Sequence, residues 1–128
     1  MEITHLNPAS SFRNPAFSQG VLVRGASNLL FVGGQNATDS SGAIIDGGLG
    51  AQTEQALRNV LAVLAEAGTG PEHVAKLTIY LDPAVDPAAA YAATGAVWGA
   101  HRTAVTVLAV APARPGALVE VEAVAALP

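Results

Sequence analysis

Between Leu49 and Ala67 the apolar residues recur at spacings of three and four: Leu49, Thr53, Ala56, Leu57, Val60, Leu61 and Leu64 fall on one stripe. This is a helix with one apolar face, and such a helix has to lie on something. Gly68 supplies a left-handed stop and Pro71 opens the next segment. A second helix start is written at Asp86-Pro87, with a carboxylate N-cap and proline at the first helical position. That helix runs to about Trp98 and ends at Gly99. No other segment has helical periodicity, so whatever covers these two helices must be built from strands.

Short β-type runs supply them. Glu2 to Leu6, Val21 to Arg24, Leu29 to Val32, Val74 to Leu81, Ala104 to Val110 and Leu118 to Ala125 read as strands. Gly25-Ala26-Ser27-Asn28 reads as a hairpin loop, and Gly33-Gly34-Gln35-Asn36 as a strand break. Asn7 to Ser18 is turn-rich, with two Asn-Pro pairs. The order is β-β-β-α-β-α-β-β, which predicts one α+β domain over residues 1–128, with both helices on one face of a mixed, mostly antiparallel sheet.

The second sheet face then lacks a cover. Hydrophobic residues make up 51% of the chain and charged residues 12%, against about 25% charged in an ordinary soluble domain. Self-association is the expected answer. Six Lys and Arg and a net charge of -4 argue against a nucleic-acid footprint. No cysteine is present, which excludes disulfides, thiolate metal sites and a cysteine nucleophile. His5, His73 and His101 lack ligand spacing, so no metal site is expected. No apolar stretch approaches the roughly 20 residues that span a bilayer, and Met1 to Ser10 does not resemble a signal peptide. A soluble, cytoplasmic protein is the expectation.

Five blocks, in order, carry a family likeness: Pro15 to Gly20 (PAFSQG), Phe31 to Asn36 (FVGGQN), Ala51 to Val60 (AQTEQALRNV), Gly68 followed by Val74 to Leu81, and Leu118 to Ala125 (LVEVEAVA). In these the chain resembles the RidA/YjgF family of reactive-intermediate deaminases, also known as endoribonuclease L-PSP-like proteins. The resemblance implies a chorismate-mutase-like α+β fold and a homotrimer with ligand clefts between subunits. It further implies cofactor-free hydrolysis of imines and enamines. In the deaminases an arginine holds the substrate carboxylate in a bidentate grip.

That arginine is missing. The family run similar to His-Arg-Pro-Ala-Arg-Thr/Ser reads here His101-Arg102-Thr103-Ala104-Val105-Thr106, so the clamp position falls on Val105. Arg102 or Arg114 remains as a substitute cation. By the same alignment a family tyrosine becomes Phe17, a residue that is often serine becomes Gly33, and an asparagine position falls near Tyr91. Glu120 matches the glutamate that orients the attacking water.

The expected site therefore has Glu120 as catalytic group, with Phe17, Gly33, Gly34, Tyr91, Arg102, Val105 and Val107 around the ligand. Strand alternation puts Val105 and Val107 on one face with Phe17 nearby, which makes the cleft apolar and suits a neutral or aromatic ligand. Glu120 and Glu122 share a face about 7 Å apart, able to place a water. The plainer readings stand beside these. Glu120 can be a solvated strand residue or a subunit contact, Glu122 is read as structural, and Arg102 as an ion-pair partner across the interface. Gln52, Thr53 and Asn59 read as cap and interface partners. Two functions stay open: a hydrolase or lyase of a small imine, enamine or related reactive metabolite, and a non-enzymatic trimer that binds a metabolite or regulates a partner. RNA cleavage is the least expected.

Overall fold

The computed structural model describes residues 1–128 and realises the element order read from the sequence. The strands are β1 (Glu2–Leu6), β2 (Gly20–Arg24), β3 (Asn28–Gln35), β4 (Val74–Leu81), β5 (Ala104–Ala109) and β6 (Val119–Leu127), and the helices are α1 (Gly48–Glu66) and α2 (Ala88–Trp98). A short 3-10 turn at Pro71–His73 leads into β4.

The first helix ends as its sequence implies. Gly68 adopts φ 73°, and the Thr69 N–H donates to the Leu64 carbonyl, which satisfies an acceptor that the last turn would otherwise leave open. At the start of α2 the Asp86 carboxylate accepts the Ala88 N–H at 3.0 Å.

Four strands form the main sheet in the order β3-β6-β4-β5. β6 is antiparallel to β3 and to β4, while β4 and β5 are parallel and need α2 as their crossover. The helices cover one face. Leu57, Val60 and Leu64 of α1 meet Leu77 of β4 and Val119 and Val121 of β6, all fully buried. Burial of such a side chain contributes about 1.5–3 kcal/mol, so this seam holds the domain together. No helix is long and apolar enough to cross a membrane.

Two local expectations are corrected. Gly25 to Asn28 does not join a hairpin: β2 pairs with β1 in a separate two-stranded sheet, and β3 pairs with β6. Gly25 at φ 70° turns the chain, and the Ser27 N–H donates to the Leu127 carbonyl, so β3 starts in register with β6 rather than folding back on β2. Nor does the strand break at Gly33-Gly34. It continues to Gln35 through an extra residue, because Val32 faces Ala123 and Gln35 faces Val121. This is a β-bulge, and glycine suits it.

Candidate functional site

The face of the sheet that carries the helices holds a cleft of about 410 Å³ at the α2–β5 edge. Val105 and Val107 of β5 and Ile79 of β4 form its floor, and Tyr91, Thr94, Gly95 and Trp98 of α2 form one wall. Ala16 and Phe17 come from the loop between β1 and β2. Strand alternation puts Val105 and Val107 on the same side, and the parallel β4–β5 pairing sets Ile79 directly beside Val107. The volume lies in the usual range for a small-molecule pocket.

Two of the three polar side chains of this wall, Thr94 and Trp98, are already engaged, while the Tyr91 hydroxyl is exposed. The Thr94 hydroxyl donates to the Ala90 carbonyl at 2.8 Å. The Trp98 indole N–H donates to the Thr103 hydroxyl at 3.0 Å, a buried bond. Thr103 in turn accepts the Ser18 N–H on its carbonyl, and His5 Nδ1 lies 3.0 Å from both Ser18 Oγ and the Arg102 carbonyl. A carbonyl only accepts, so His5 carries its proton on Nδ1. This chain of bonds ties the loop bearing Phe17 to the start of β5.

The opposite sheet face has another character. Here Glu120 and Glu122 of β6 stand beside Lys76, Thr78 and Tyr80 of β4, with Thr106 of β5. The Tyr80 hydroxyl donates to Glu122 at 2.5 Å, and the Lys76 ammonium donates to Thr106 at 2.5 Å. The hydrogen bond to Glu122 holds the Tyr80 phenol above its ordinary range, with desolvation and the charges of Glu122 and Glu120 adding to it. Glu120 lies over the bulge: a side chain on Gly34 would collide with its carboxylate. A side chain at position 34 would thus require the Glu120 carboxylate to move. Gly33 lines a shallower groove with Phe31, Lys76 and Glu122.

The candidate residues thus form two groups. Phe17, Tyr91, Val105 and Val107 share the cleft. Glu120, Gly33 and Gly34 gather at the bulge on the other face. Arg102 joins neither; it is exposed, and its carbonyl accepts from His5. Arg114 donates to the Gly42 carbonyl and links two loops. Thr94, Gly95, Trp98 and Ile79 were not singled out by sequence, although Trp98 is the sole tryptophan and stands at a helix end.

Gln52 clamps the approach to β6: its amide donates to the Gly116 carbonyl at 3.1 Å and accepts the Leu118 N–H at 2.9 Å. Thr53 bonds back to Leu49 within α1, and Asn59 donates to the carbonyls of Asn36 and Thr38. All three serve the fold of the protomer. No cluster of residues suited to holding a metal ion occurs.

The family model described as Endoribonuclease L-PSP matches residues 11–127. A RutC family protein of Synechocystis is 37% identical over 114 residues, 80% of this chain and 82% of that one. A RutC family protein of Pyrococcus abyssi is 32% identical over 110 residues, 85% of this chain and 84% of that one. Among solved structures, a conserved Rid-family protein of unknown function from Yersinia pestis superposes with a TM-score of 0.88 at 34% identity, covering 99% of this chain and 100% of that one. A putative endoribonuclease from Thermotoga maritima gives 0.73 at 30% identity, covering 88% and 87%.

Proposed function

Because this chain belongs to the Endoribonuclease L-PSP family, the RidA/YjgF group, we propose that it is a trimeric, cofactor-free hydrolase of a small uncharged imine or enamine. The observation that carries this reading is the cleft floor of Val105 and Val107 beside Phe17, with no cation among its lining residues. A carboxylate placed there would lose its hydration with nothing to replace it. A neutral substrate has no such cost.

In the proposed reaction water adds to the carbon of the C=N bond, and the nitrogen leaves as ammonia from the resulting carbinolamine. The product is a carbonyl compound. Glu120 is the group placed to take the proton of the attacking water. Within one protomer it stands on the sheet face opposite the cleft. The site is therefore complete only where the bulge of one copy meets the cleft of another, as the trimer of the resemblance implies. Leu29 and Phe31 of β3, 62% and 71% exposed on the Glu120 side of the sheet, support burial of that face between copies.

A second reading, a trimer that binds a metabolite without turning it over, draws on the cleft's own lining, whose one titratable group is the Tyr91 phenol. Six Lys and Arg against ten Asp and Glu speak against RNA as substrate.

The test compares two imines. An amino-acid oxidase supplies a 2-imino acid and a flavin amine oxidase supplies an uncharged imine, each followed against its spontaneous decay. The wild type is expected to accelerate loss of the uncharged imine alone. Val105→Arg is expected to raise its rate on the 2-imino acid about ten-fold, the value of one charge-assisted grip. Wild-type acceleration of the 2-imino acid would overturn the apolar-cleft reading. Inactivity on both imines would favour the binding trimer.

A further inference from the structure

Gly95 stands in the interior of α2, where glycine is the poorest helix former short of proline. Three ordinary reasons for a helical glycine fail here. Its φ is not positive, so the backbone does not require it. A Cβ built on it meets nothing of the same protomer within 4 Å, so no close approach within the chain requires it either. It is not a cap, a role Gly99 fills at φ 69°. What Gly95 does is line the cleft, from an exposed position on α2.

We propose that Gly95 is the specificity-determining residue of the cleft, kept side-chain-free so that a flat aryl group of the ligand can lie against the bare wall of α2. The inference rests on the reading of the cleft as the ligand site. Three rings, Phe17, Tyr91 and Trp98, surround the space, and aromatic pairs gain from offset and edge-to-face geometry beyond simple burial. The hydroxyl of Thr94 and the indole N–H of Trp98 are spent on Ala90 and Thr103, so beyond the exposed Tyr91 hydroxyl this wall offers shape and aromatic faces. The ligand class is accordingly an uncharged compound that carries an aryl ring.

Trp98 is the sole tryptophan and lines the cleft, so its emission reports occupancy directly. The experiment titrates the full-length protein with benzyl alcohol, cyclohexylmethanol and phenylacetate. Gly95→Ala and Gly95→Leu are compared with Ala96→Leu, which adds the same bulk on an exposed part of α2 outside the cleft. Thermal unfolding and light scattering accompany each variant.

Benzyl alcohol is expected to bind the wild type more tightly than the other two probes. Gly95→Leu should lose that binding by ten-fold or more, with Gly95→Ala intermediate and Ala96→Leu unchanged. Gly95→Ala should at the same time be more stable, by about a five-fold shift in the folding equilibrium, since only helix propensity changes. Undiminished benzyl alcohol binding by Gly95→Leu at unchanged oligomeric state would overturn the proposal. Equal binding of cyclohexylmethanol, or absence of binding by the wild type, would do so too. Imine turnover is measured in parallel to separate the two claims. A wild type that binds the aryl probe but hydrolyses no imine keeps the slot and loses the hydrolase. Imine hydrolysis insensitive to both the ring and Gly95→Leu does the reverse.

Discussion

On its helix face the four-stranded sheet closes an apolar cleft in which Thr94 and Trp98 have already spent their hydrogen bonds. On its other face it lays out Lys76, Thr106, Tyr80, Glu122 and Glu120, charged and polar groups at cross-strand spacing. The first region is finished within one protomer: Val105 and Val107 are packed against the core, and Trp98 is 3% exposed. The second region is unfinished, with Leu29 and Phe31 open beside the charged row. The apolar cleft and the charged row are thus separated across one sheet, because alternation sends successive side chains to opposite faces. A site that uses both must draw them from two copies.

The comparison breaks most visibly at Glu120. If the polar face supplies the chemistry, Glu120→Gln lowers imine turnover by about 10²–10⁴-fold, the value of general acid–base catalysis. Benzyl alcohol binding, read from Trp98 emission, and the oligomeric state should stay unchanged. Loss of probe binding in step with turnover would mean that the two regions are not separate.

Gln52→Ala comes next. Gln52 is 5% exposed and holds both Gly116 and Leu118, so its removal takes away two part-buried hydrogen bonds at the entry to β6 and leaves a hole in place of a buried side chain. The expected cost is about 1–3 kcal/mol of stability, measured by denaturant unfolding. Because the clamp sits at the entry to β6, turnover should suffer more than probe binding.

The smallest effect is that of pH on the polar face. The raised phenol pKa of Tyr80 means that its folded form keeps the proton more tightly than the unfolded chain does. Its contribution is fully present below the ordinary tyrosine value of about 10 and is lost as pH rises through the higher folded value. The phenolate absorbance of the wild type, compared with Tyr80→Phe, should therefore show one tyrosine ionising late. Tyr80→Phe should flatten the alkaline limb of the stability profile. A Tyr80 that titrates at the ordinary value would show that the pair with Glu122 does not form in solution.

Much of the architecture was legible in the residues. The stripe from Leu49 to Leu64, the Gly68 stop and the Asp86 carboxylate at the second helix are local signals, and each acts within a turn of where it is written. The alternation of β5 also placed Val105 with Val107, and the family resemblance brought Phe17 beside them. Pairing partners were less legible. The loop from Gly25 to Asn28 looks like a hairpin because short loops favour one, but β3 gains a longer and better buried partner in β6, far along the chain. The glycines at 33 and 34 look like a strand break because a bulge and a break share the same residue.

The sequence by itself determined the element order, the apolar character of position 105 and the need for a second cover on the sheet. These follow from periodicity and composition, which are properties of neighbouring residues. Only the tertiary structure decided that Glu120 lies over Gly34 on the face opposite the cleft, that Gln52 locks the start of β6, and that Gly95 opens onto the cleft. Each of these depends on which surfaces meet when distant segments pack, and a one-dimensional pattern does not record how the sheet and its helices come together in space.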